Sequence, residues 1–272
     1  MQRHYRPDFE KLYQHDIRAH NAGWKYLSFA VATLGATQTL KDTTGNEECV
    51  IVPLSGHAAV AYGDESHTIG RADLFRELTD IIYLPPRTDF QIIASERFEV
   101  AIGRAPALGR LPARRLRREA MASFVRGDAN VQRGVNVLLD SDEFAERLIV
   151  FEIRPPSGNW SSFPPHRHDS RDNSSYHEET YYYRLAPADG FALQRIYTRD
   201  TDLDVAIPVA DGDLVLVHEG YHAVVNAPGT NAYYLNFLAG DVRKLKPVND
   251  PHYDWVSRQW DGNPNPIPVQ AR

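Results

Sequence analysis

Two short stretches hold side chains whose types and spacing could do metal chemistry: WSSFPPHRHDSRDNSSYHEETYYYR, residues 160–184, and GDLVLVHEGYHAVV, residues 212–225. In a strand, side chains two apart share a face. His166 and His168 can therefore aim two imidazoles at one point, with Glu179 joining from the next strand and His222 from a later one. Three imidazoles and a carboxylate suit borderline divalent cations such as manganese, iron, nickel or zinc. Four protein ligands on an octahedral ion leave positions for substrate or water, so this centre reads as catalytic. The histidine pair alone is a weak signal, because histidines in a Pro-rich polar segment are usually solvated. Its combination with EETYYYR and with the turn that presents His222 carries the reading.

Ligands from separate strands need a scaffold of strands, and the chain supplies it. Short apolar or alternating runs broken by Gly, Pro and Asp recur throughout, among them CVIV, FQIIAS, FEVAIG, LIVFEIRP, TYYYRL, DLVLVHEG and AYYLNFLAG. Their spacing is that of an all-β sandwich or barrel. Helix-like patterning is confined to the first twenty residues, part of an Arg-rich connector and DSDEFAERL. The fold class is mainly β.

A coarse repeat divides the chain. EECVIV, a Gly-containing turn and DIIYLPPRTDFQIIA in the first half answer to EETYYYRL, a turn and DLVLVHEGYHAVV in the second. Laying one half on the other puts Glu48 opposite Glu179 and Asp89 opposite His222. No HxH pair precedes Glu48, so residues 1–125 read as a domain that keeps the scaffold without the ligands, plus connector, and 126–272 as the metal-binding catalytic domain. The connector, from about Arg104 to Arg133, reads as a solvated linker whose arginines pair with the acidic remainder. Arg133 is the exception closest in sequence to the second sheet.

With 272 residues, 42% of them hydrophobic and 11% aromatic, the chain can bury a full core. The formal charge of −6 gives no global basic field for nucleic acid or acidic membrane. The N-terminus lacks a signal-peptide core, and no apolar run approaches the roughly 18 residues needed to span a bilayer, so a cytoplasmic protein is expected. The single cysteine, Cys49, fits a reducing compartment and opens the strand-like run CVIV, where it reads as a buried structural thiol.

The segments WSSFPPHRHD, EETYYYR, FALQRIYT, GYHAVVNAPG and AYYLNFLAG resemble the bacterial 5-deoxy-glucuronate isomerase family of myo-inositol catabolism. The likeness runs from about Gly23 to the tail around Trp255 and Trp260. It implies two tandem cupin (double-stranded β-helix, jelly-roll) barrels with one divalent metal ion in the second, held by His166, His168, Glu179 and His222. It also implies an aldose to ketose isomerisation of 5-deoxy-glucuronate to 5-dehydro-2-deoxy-gluconate. Related 5-keto-4-deoxyuronate isomerases place their ligand glutamate directly before an aromatic-rich strand, which favours Glu179 over Glu178; His177 reads as a loop residue.

Such a reaction removes a proton beside a carbonyl and returns it one carbon away. If Glu179 points inward, strand parity sends Tyr181 and Tyr183 inward too. Tyr181 reads as barrel packing and Tyr183 as a candidate proton relay. The substrate is an acid. Arg195 would capture its carboxylate in a bidentate fork, or the adjacent Gln194 would bind a sugar hydroxyl, and the sequence leaves that parity open. Asp169 and His218 are alternative bases. The competing readings are another metal-dependent cupin enzyme such as an iron dioxygenase, for which an apolar pocket would speak, and a sugar-binding protein in which the metal only anchors ligand. Barrel edges leave room for a homodimer.

Overall fold

The computed structural model describes residues 2–259, so Trp260 and the end of the 126–272 segment lie outside the described residues. The expected strands form, and they build two antiparallel barrels in tandem, as the cupin expectation requires. The first is a nine-stranded sheet closed by one long bent strand, Glu47–Tyr62. Its early residues pair with Ile81–Leu84 and Phe98–Pro106, and its later ones with Glu65–Arg71 and Asp89–Ala94. A register shift between Pro53 and Ser55 marks the bend. Gly56 follows with φ +74°, and a Cβ there would sit 2.1 Å from the Arg97 carbonyl oxygen, so only glycine fits.

The second barrel packs a seven-stranded sheet against a five-stranded one. In the first of these, His177–Ala186 lies between Leu214–Val217 and Asn231–Gly240. In the second, Tyr221–Asn226 lies between Trp160–Arg167 and Ala192–Tyr197. The connector is not a solvated linker throughout: Arg114–Leu116 adds an edge strand to the first sheet, and Ala122–Arg126 forms the edge of the seven-stranded one.

Apolar side chains segregate into three buried clusters. One fills the first barrel (Cys49, Ile51, Val60, Phe90, Ile92), another the second (Tyr181, Tyr183, Ile196, Val224, Tyr234). The largest lies between the two and draws on both, with Phe29, Val50 and Tyr83 meeting Tyr182, Leu216 and Phe237. Strand parity explains the division: Cys49 and Ile51 point into their barrel while Val50 and Val52 point at the other half. Polar contacts cross the same boundary. Arg71 pairs with Glu152 at 2.6 Å, both fully buried, and Tyr182 donates to Glu99 at 2.6 Å.

The register of the repeat differs from the sequence expectation. Glu48 and Glu178 play the same part, each accepting three successive backbone amides from the other half, so Glu178, not Glu179, is the counterpart of Glu48. Cys49 then stands where Glu179 does. The second residue of Asp89–Ala94, Phe90, stands where His222 does, pairing with Tyr62 as His222 pairs with Ile196. At these two positions the first barrel thus carries apolar groups where the second has a carboxylate and an imidazole. Cys49 is wholly buried, and burial pushes its thiol up to about 12.

Candidate metal centre

Three strands bring the centre together. His166 and His168 lie at the end of Trp160–Arg167 and just past it, and His222 pairs directly with His166 across the ladder. Glu179 arrives from the opposing sheet as the third residue of its strand. The ligand atoms of His166, His168 and His222 lie within 4.8 Å of one another. The Oε2 of Glu179 is 2.9 Å from His168 Nε2 and 3.3 Å from His222 Nε2. The four sequence-expected ligands therefore converge, three of them buried and His166 half-buried at the cavity.

The polar atoms around this point fit a cation. The Nδ1–H of His168 donates to the His177 carbonyl at 2.9 Å, which in a neutral ring turns the Nε2 lone pair toward the Glu179 carboxylate. Two lone pairs facing each other repel, and a positive ion between them resolves the contact. His222 Nε2 is buried without a hydrogen-bond partner among the described residues. Such an orphan is costly unless something binds it. Burial, reinforced by His222 and His168, holds the His166 imidazole well below the usual histidine range, so it is neutral and ready to ligate. Burial opposes charge on Glu179, but the adjoining His168 and His222 rings outweigh that and hold the carboxyl far below its ordinary value. The His triad can hold a metal ion, and nitrogen with carboxylate oxygen is a donor set for borderline divalent cations.

The centre opens into a cavity of about 640 Å³. Beside the ligands its wall carries polar groups: Tyr181, Tyr234, Ser161, Ser162, Asn236 and Arg133. Apolar residues, among them Phe124, Val135, Phe151 and Leu238, complete it. Tyr181 is 5.1 Å from Tyr234 and 5.8 Å from His222, ring centre to ring centre. The Tyr181 and Ser162 hydroxyls are 3.3 Å apart, and Tyr234 bonds Ser161. Burial keeps the Tyr181 phenol protonated, well above its ordinary value.

The three side chains expected to act on substrate lie elsewhere. Tyr183 points inward, as parity requires, but one step deeper than Tyr181, and its hydroxyl donates to Gln194 Oε1 at 2.9 Å. Gln194 is fully buried in that bond and does not line the cavity. Arg195 is on the outer face, 44% exposed, in a two-pronged pair with Asp204 and over the Tyr197 ring. It cannot receive a ligand in the cavity; alternation places Gln194 in and Arg195 out. Asp169 is locked in a two-pronged pair with Arg167 and accepts the Gly220 amide, so it shapes the turn before His222. His218 bonds the Ala22 carbonyl at 2.8 Å and ties the halves together. His177 is a buried strand residue, not a loop residue, and its ring stays outside the triad. Tyr234 and Asn236 were missed, although polar groups at alternate positions of the apolar run AYYLNFLAG were a legible signal.

Comparison with known proteins agrees with this geometry. The sequence matches the KduI/IolB family over residues 3–256. It is 40% identical over 246 residues to a protein named 5-deoxy-glucuronate isomerase from Geobacillus kaustophilus, spanning 88% of this chain and 89% of that one. A protein of the same name from Bacillus subtilis strain 168 is 36% identical over 249 residues, with 89% and 92% covered. The crystal structure of an IolB-like protein from Salmonella typhimurium superposes with a TM-score of 0.91 at 33% identity, covering 94% of this chain and all of the other. The formate complex of Lactobacillus farciminis oxalate decarboxylase, at 10% identity and a TM-score of 0.68 over 95% and 90% of the two chains, shares the fold.

Proposed function

The chain belongs to the KduI/IolB family, and on that footing we propose that it is a metal-dependent aldose-ketose isomerase acting on 5-deoxy-glucuronate. The product would be 5-dehydro-2-deoxy-gluconate, a step of myo-inositol catabolism. The observation that carries this reading is a cavity of about 640 Å³ in which a His₃Glu cluster faces hydroxyl and cationic groups. An iron dioxygenase acting on an apolar ring would not need that mixture, and the relatives named as isomerases favour catalysis over binding alone.

His166, His168, Glu179 and His222 would hold one divalent ion, of manganese, zinc, iron or nickel. Bound there, such an ion supplies Lewis-acid polarisation of a carbonyl and its neighbouring hydroxyl. The chain's own groups do the rest. Tyr181, protonated and beside the ligands, presents a hydroxyl to a substrate oxygen on which negative charge grows, and Ser162 holds that phenol in place. Tyr234 and Asn236 offer further polar atoms on the same wall.

The test is proton NMR of 5-deoxy-glucuronate in deuterated water with metal-loaded protein, beside a His166→Ala variant. Ketose formation that the variant loses supports the isomerase, and deuterium at the new CH₂OH supports exchange with solvent in mid-reaction. Absence of turnover with each of the four metals would overturn the substrate assignment.

A further inference from the structure

Among the described residues four arginines are buried: Arg71, Arg104, Arg133 and Arg167. Three hold a carboxylate, Arg71 that of Glu152 at 2.6 Å, Arg104 that of Asp42 at 2.7 Å and Arg167 that of Asp169 at 2.7 Å. Arg133 has no carboxylate partner among the described residues. Its single side-chain bond runs from Nη1 to the Val131 carbonyl at 3.0 Å, and it lines the cavity that contains the His₃Glu cluster. We propose that Arg133 is the specificity-determining residue of this site and receives the carboxylate of a sugar acid whose carbonyl end lies at the cluster.

A guanidinium out of water needs a counter-charge, and its planar fork matches a carboxylate in two parallel hydrogen bonds. Glu179 and Asp140 line the same cavity, yet among the described residues neither pairs with Arg133, so its fork is open to a carboxylate that comes with the ligand. Gly127, at φ +86°, also lines the cavity, and a Cβ there would come within 2.3 Å of the Val131 carbonyl oxygen and 2.7 Å of Arg133 Nη1, so the glycine leaves room for the bond between those two. Tyr181 packs against both His222 and Tyr234, and both phenols line the cavity that Arg133 also lines. A short acyclic or cyclic uronate fits that arrangement, with one end for the metal ligands and the other for the arginine, whereas a neutral sugar leaves the buried cation unpaired. This inference rests on the isomerase reading for its substrate, while its charge preference stands on Arg133 alone.

The experiment compares 5-deoxy-glucuronate with the neutral 5-deoxy-glucose in the metal-loaded wild type, R133Q and R133K. R133Q is expected to raise KM for the acid about 100-fold, the scale on which losing one partner of a desolvated charge pair acts. It should bring the acid-over-neutral ratio of kcat/KM close to one, with R133K between the two. Retention of the acid preference in R133Q would overturn the proposal. Thermal melting separates function from packing: removing an unpaired buried charge should leave Tm unchanged or raise it, and a fall in Tm with equal loss of both substrates would make Arg133 a packing residue. If the wild type does not turn over 5-deoxy-glucuronate, the isomerase reading fails on its own, and calorimetry with D-glucuronate and D-glucose decides the arginine. Acid binding that R133Q abolishes supports it, and equal or absent binding of both sugars overturns it.

Discussion

Glu48 and Glu178 clasp opposite halves of the chain. Glu48 accepts the amides of Glu146, Arg147 and Leu148 at 2.6–2.7 Å, just before the strand Ile149–Arg154. Glu178 accepts those of Lys25, Tyr26 and Leu27 at 2.6–2.9 Å, just before Ser28–Leu34. A tyrosine hydroxyl completes each clasp, from Tyr83 and Tyr176 respectively. Burial pushes the Glu48 carboxyl up, and the amide donors pull against it. Each barrel thus ends the loop that leads into the other, which is why the inner cluster between them packs as one core.

Removing either carboxylate leaves three amides short of a buried partner. Glu48→Ala is expected to cost about 2–4 kcal/mol, a fall in Tm of roughly 5–10 °C, while metal content stays that of the wild type. Calorimetric melting with metal analysis of the same sample checks both, and an unchanged Tm would show the clasp to be dispensable.

His166→Ala and Glu179→Gln remove ligands from the cluster and should lower bound metal below a tenth of an equivalent after dialysis, by elemental analysis. Metal retention by both variants would place the ion elsewhere.

Tyr181 and Tyr183 share a face but not a depth. Tyr181→Phe should lower kcat by about 10²-fold, the usual scale of a lost proton-handling or oxyanion-facing hydroxyl. Tyr183→Phe acts through Gln194, whose amide loses its partner, and should cost about 1–2 kcal/mol of stability with a smaller effect on kcat. The reverse ranking in kcat would restore Tyr183 to the reaction.

Acid should loosen the contact between the halves. His15 bonds the Gly212 carbonyl at 2.7 Å and His218 that of Ala22, and in both burial lowers the imidazole below its ordinary value. The unfolded chain then binds more protons than the folded one below the unfolded value of about 6.5. Stability from these two groups is complete above that pH and falls as pH drops through it. Urea midpoints at pH 7.5 and 5.5 should differ more in the wild type than in a His15→Gln, His218→Gln variant; equal differences would remove these histidines from the account.

The sequence by itself determined most of the strands, though not those at His4–Tyr5 and Tyr13–Ile17, and four side chains that converge, because alternation of side chains and the choice of imidazole and carboxylate are local properties. Parity even sent Tyr181 and Tyr183 inward together. Only the tertiary structure decided how far along the barrel each inward group sits, so Tyr181 and not Tyr183 reaches the cavity. It also decided that Gln194 is inside and Arg195 outside, since adjacent residues differ only by which sheet face meets a core. The one-residue register of the repeat, Glu48 with Glu178, depended on amides more than a hundred positions away, or close to it, that no local pattern encodes. Arg133 shows the same limit: a run of arginines looks uniform in sequence, and what sets this one apart is that the fold buries it, as it buries Arg104, but brings a carboxylate only to Arg104.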